Sequence, residues 1–156
     1  MKRLFLFCSC FLIFLSTGCG SKSSNNSEKI NTSKMLECNS SSNIGSSSSS
    51  QQNFKIYFNK GKVERLLVDI AVSLNEPDDV TRNNLEQEVS NAFDKYKNRD
   101  GITYSSNVSE LGFNVDLDIN FNNLSDEDRQ SISLINSEKS YDEIKVEFET
   151  NGFICN

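Results

Sequence analysis

The chain has 156 residues, 22 of them acidic against 16 basic, no histidine, and a net charge of −6. Its lysines and arginines are interspersed within that acidic excess, which excludes a nucleic-acid binder, because affinity for phosphate backbones comes from clustered cations that displace counterions. Without histidine the commonest general base is missing and neither a Ser-His-Asp nor a Cys-His nucleophile can be built; nothing in the composition calls for a cofactor.

Lys2 and Arg3 open the chain, Leu4 to Thr17 is almost wholly apolar, and Gly18 precedes Cys19. A spanning helix wants about 20 apolar residues, so this stretch is too short to be a permanent anchor. A positive start, an apolar middle of this length and a small residue before the cut are the parts of a secretory signal. Cysteine at the cut selects the lipoprotein version, with ordinary secretion as its alternative. Residues 1–18 are then removed, and the Cys19 thiol carries diacylglycerol. Two acyl chains hold durably where one does not, each buried methylene contributing about 0.8 kcal/mol. The expected address is the extracytoplasmic face of the cell membrane. Loss of the signal leaves 14 basic against 22 acidic side chains, a balance of −8, so acyl chains rather than a basic patch attach the protein to the bilayer.

Residues 19–34 are rich in Ser, Asn and Lys and cannot bury enough apolar surface to offset ordering entropy, which predicts a flexible tether. Residues 35–156 are the length of one domain. Cys8 and Cys10 leave with the signal and Cys19 is taken by lipid, so Cys38 and Cys155 remain. An oxidising compartment favours joining them, and closing so long a loop contributes about 5 kcal/mol in the chain-entropy model. Two unpaired thiols are the alternative. Two sulfurs without further ligands make a poor zinc site.

A first strand is predicted over Met35 to Ser40, followed by a Ser-rich loop over 40–52. Phe54, Ile56 and Phe58 alternate with polar positions, Asn59-Lys60-Gly61-Lys62 carries turn chemistry, and Leu66 to Leu74 resumes the period of two. That pattern predicts a hairpin. Pro77-Asp78-Asp79 starts a helix with Leu85, Val89, Phe93 and Tyr96 on one stripe. Gly101 restarts the chain, Ile102, Tyr104 and Ser106 alternate weakly, and after Gly112 the residues Phe113, Val115, Leu117, Ile119 and Phe121 face away from Asn114, Asp116, Asp118, Asn120 and Asn122. Such a strand belongs to an antiparallel sheet with one wet face. Leu124 to Asp128 begins a short helix or turn. Ser140-Tyr141-Asp142-Glu143 fits a capping box, Ile144 and Phe148 follow on one face, and Gly152 stops the helix before Phe153-Ile154-Cys155 returns to the body. The order β-β-β-α-β-β-α, with helices on one face of an antiparallel sheet, is an α+β two-layer sandwich.

Asp116, Asp118, Asn120 and Glu127 reproduce the oxygen spacing of a calcium loop. Position six of such a loop should be glycine, and here it is Phe121. The unbroken alternation of Leu117, Ile119 and Phe121 places these carboxylates on the solvent face of a strand, so no metal site is expected.

Cys19, Cys38, the hairpin from Phe54 to Leu74, the strand from Phe113 to Phe121 and the ending Gly152-Phe153-Ile154-Cys155 together resemble the small YehR-like lipoproteins of Gram-positive bacteria and their relatives. The resemblance implies location and fold. It carries no catalytic residues, since the molecular function of that family is unassigned. The long serine run departs from its pattern.

The expectation is therefore a non-catalytic surface lipoprotein that binds an envelope protein, peptide or glycan through its open sheet face or the Ser-rich loop. Tyr57 and Tyr104 are aromatic residues for such a surface, or ordinary cross-strand packing. The rival is a carboxylate-based envelope glycan hydrolase, which needs two acids about 5 to 9 Å apart.

Overall fold

Alternation with a period of two turns one face of each strand into a core surface, and the hairpins stack those surfaces side by side. The computed structural model describes residues 33–44, 48–132 and 134–156. The expected signal segment, Cys19 and the expected tether as far as Thr32 lie outside them. The strands are β1 (Lys34–Ile44), β2 (Ser48–Asn59), β3 (Lys62–Leu74), β4 (Ile102–Ser109), β5 (Gly112–Asn120) and β6 (Ile154–Cys155). They form one antiparallel sheet in the order β4-β5-β3-β2-β1-β6. Helix α1 (Asp79–Phe93) connects β3 to β4, and the short α2 (Asp126–Ser131) and α3 (Tyr141–Thr150) follow β5. The molecule is the expected α+β domain, with a short closing strand and a separate short helix added to the predicted order.

Between β2 and β3, Lys60 and Gly61 both have positive φ, 52° and 79°. That is the turn whose twist matches the flanking strands. Helix α1 starts where Asp78 accepts a hydrogen bond from the Thr81 amide at 2.7 Å, and it buries Leu85, Val89 and Phe93 with Tyr96 just beyond. Helix α3 opens on the complete capping box of Ser140 and Glu143 and buries Ile144 and Phe148. Its end is a Schellman motif: the Phe153 amide donates to the Phe148 carbonyl and the Gly152 amide to the Glu149 carbonyl, each at 3.1 Å, with Gly152 at φ 86°. The Phe148 and Phe153 rings meet at 5.0 Å, and Phe54 of β2 packs against both. One core therefore runs from Leu36 across Ile56, Leu66 and Val115 to Ile119, roofed by the helices.

The serine run corrects the sequence reading. Ser40 to Ile44 and Ser48 to Gln52 are not a loop but the paired ends of β1 and β2, with Ser42 opposite Ser50 and Ser50 opposite Val72; positions 45–47 lie outside the described residues. Strand β3 is thirteen residues long, and the backbone groups along its far end, Ile70 to Leu74, need partners wherever they are shielded from water. Any residue supplies such partners through its main chain, and serine is small enough to fit; Ser50 is 8 % exposed on the core face. No apolar alternation marks these positions, so hydrophobic periodicity is silent there.

The structure joins Cys38 to Cys155 as a disulfide. Their strands are paired at that point, and Glu37 and Asn156 exchange backbone hydrogen bonds of 3.2 and 2.9 Å beside it. The C-terminus is thereby stitched to the β1 edge.

Candidate functional site

With the helices on one side, the opposite face of the sheet is open among the described residues, and register decides which side chains meet there. Asn53, Asp69, Asp116 and Ser105 form one row across β2, β3, β5 and β4, and Lys55, Leu67, Asp118 and Thr103 form the next. Together they line a shallow depression of about 380 Å³. Asp69 and Asp116 are directly opposed. The Asp69 carboxyl is held above the usual carboxylate range, chiefly by desolvation, then by the charge of Asp116 and the hydrogen bond between the two. Ser105 donates to Asp116 at 3.1 Å. Asp118 is engaged instead by Arg65, whose guanidinium donates two hydrogen bonds of 2.8 and 2.6 Å, and Lys55 lies 3.6 Å from Glu37.

A second concavity lies on the helix side, between α1 and the sheet's terminal strand β4. It measures about 450 Å³, with Glu86, Val89 and Ser90 on one wall and Tyr104, Ser106 and Val108 on the other. Lys97 sits 5.5 Å from the centre of the Tyr104 ring and pairs with Asp94 at 2.6 Å, which together with Glu86 raises its proton affinity, the Asp94 hydrogen bond most of all. The Tyr104 hydroxyl is buried without a hydrogen-bond partner among the described residues.

The residues singled out for calcium are dispersed in role. Asp116 and Asp118 stand on the open face of β5, Asn120 caps the Asn122 amide at 3.1 Å, and Glu127 belongs to α2. Tyr57 lies on the open face between Met35 and Arg65. Tyr104 does not share that face: it projects to the helix side with its neighbour Leu117. Neither concavity was visible in the sequence, because both depend on strand register and on how α1 crosses β4; the Asp69–Asp116 pair joins two segments far apart in the chain. Among the described residues no helix is long and apolar enough to cross a membrane.

No protein-family model matches the chain, and no curated protein does. Two solved structures are similar in fold. One is the NMR structure of a protein from Streptococcus pneumoniae TIGR4, 12% identical, with a TM-score of 0.52 over 90% of this chain and 95% of the other. The second is the NMR structure of the E. coli YehR protein, also 12% identical, with a TM-score of 0.54 over 80% of this chain and 91% of that one. The chain thus has a YehR-like fold, and at this identity the likeness is one of fold alone.

Proposed function

We propose that the protein is a lipid-anchored extracytoplasmic module whose domain binds an envelope protein, peptide or glycan and performs no reaction. The address rests on the leader and Cys19. The observation that carries the binding reading is the six-stranded sheet, which among the described residues is covered by helices on one face and leaves the other open and polar, with a groove beside the edge strand β4. A glycan hydrolase needs a water-sized or sugar-sized gap between its two acids, about 5 to 9 Å. On the open face Asp69 and Asp116 are directly opposed in the strand register, Ser105 donates to Asp116, and the third acid, Asp118, is held by Arg65. Asp116 and Asp118 are thus already engaged by neighbouring side chains, which supports the binding reading over the hydrolase.

The test uses the mature chain in detergent, incubated with purified envelope glycan and, separately, immobilised and exposed to solubilised envelope. Retention of a component that excess free protein displaces, with no new reducing ends in the glycan, is the expected result. Release of sugar that disappears in Asp69→Asn or Asp116→Asn would transfer the assignment to the hydrolase.

A further inference from the structure

Strand β4 ends the sheet, so one row of its backbone N–H and C=O groups has no strand partner among the described residues. Such edges are usually guarded by lysine, proline, a bulge or a covering loop. The segment Ile102–Ser109, ITYSSNVS, holds no charge and no proline. The opposite edge is treated differently, since β6 and the Glu37–Asn156 bonds close part of β1. Directly beside the unguarded strand lies the groove of about 450 Å³ walled by α1. Its lining is mostly polar, with Val89, Val108 and the Tyr104 ring as apolar spots within it, and the buried Tyr104 hydroxyl has no hydrogen-bond partner among the described residues.

We propose that β4 and α1 form a peptide-binding groove, in which an extended, cationic segment of an envelope protein adds to β4 as a further strand and places one side chain under α1. This deepens the binding reading above, on which it rests, by naming the partner class. In strand addition the main-chain hydrogen bonds supply affinity, and pockets for alternate side chains supply selectivity. Charge decides among occupants. Glu86 and Glu110 stand at the groove, Lys97 is neutralised by Asp94, and the chain carries −6 overall. A cationic segment is attracted, whereas an acidic one, or a second copy of this chain, is repelled.

The probe is a synthetic peptide of alternating valine and threonine with a lysine at each end, labelled with fluorescein and titrated into the mature full chain. Saturable binding is expected, with slowed amide exchange across Ile102–Ser109 and several-fold weaker binding of the same peptide flanked by glutamates. Ser106→Arg, at an exposed position in the groove, abolishes binding; Thr103→Arg, on the open face of the same strand, preserves it; both variants should melt as the wild type does. Peptide binding that survives Ser106→Arg, or sensitivity to Thr103→Arg instead, overturns the groove. So does a dimer seen by sedimentation that Ser106→Arg dissolves. Failure of every peptide to bind, while immobilised protein still retains an envelope component, removes this inference and leaves the binding function standing.

Discussion

At Gly112 the backbone has φ 144°, and a Cβ built there would stand 1.9 Å from the Val72 carbonyl oxygen. β3 and β5 touch main chain to main chain at this point, opposite Ser73. Gly112→Ala therefore forces the strands apart in addition to straining φ and should cost about 3 kcal/mol, read as a lower urea midpoint with an unchanged slope. Asp69 makes a prediction about pH. Its folded-state proton affinity is raised, so its favourable contribution is present in acid and is lost as pH rises through the folded value. Asp69→Asn should raise the melting temperature at neutral pH and lose that advantage at pH 3, where the native carboxyl is already protonated. The effect is modest because Asp69 is exposed and water screens it. An equal shift at both pH values would show that the pair does not repel. The strand faces on which these residues sit are legible from alternation alone; the meeting of Asp69 with Asp116 is not, since a one-residue slip would separate them.

Among the elements, those written in strong local chemistry were legible and those set by their neighbours were not. The Lys60-Gly61 turn, the Asp78 cap and the Ser140-Glu143 capping box each satisfy themselves within a few residues, so spacing reveals them. Ser140→Ala removes the acceptor for the Glu143 amide and should cost about 1 kcal/mol, lowering the melting temperature by a few degrees; Ser140→Thr should recover most of it. By contrast, Ser48–Gln52 become strand because β3 extends alongside them, and Ser40–Ile44 because they pair with Ser48–Gln52 in turn, a reason that lies outside their own sequence. Strand β6 is two residues long and exists through its pairing with β1. Tyr104 fell on the helix side because a weak alternation in β4 cannot say which face a lone aromatic takes until β5 fixes the register.

For the whole molecule the disulfide and the proposed anchor carry the account. Cys38 is fully buried and Cys155 nearly so, and their bond closes a loop with a sequence separation of 117. Reduction should destabilise the native chain by about 3 to 5 kcal/mol, whereas Cys38→Ala/Cys155→Ala should melt at one temperature with or without reductant. An unchanged wild-type melt in reductant would mean that the cross-link does little for the fold. The layered α+β architecture was readable because both hydrophobic periods, 2 and 3.6, are strongly expressed. The groove between α1 and β4 was not, because it is a property of two elements packed together. The most direct measurement is mass spectrometry of the N-terminal peptide of the protein isolated from its own cells. The account predicts a chain that begins at Cys19 with diacylglycerol on its sulfur and partitions with membranes; a chain recovered from the cytosol with Met1 to Gly18 intact and Cys19 unmodified would contradict it.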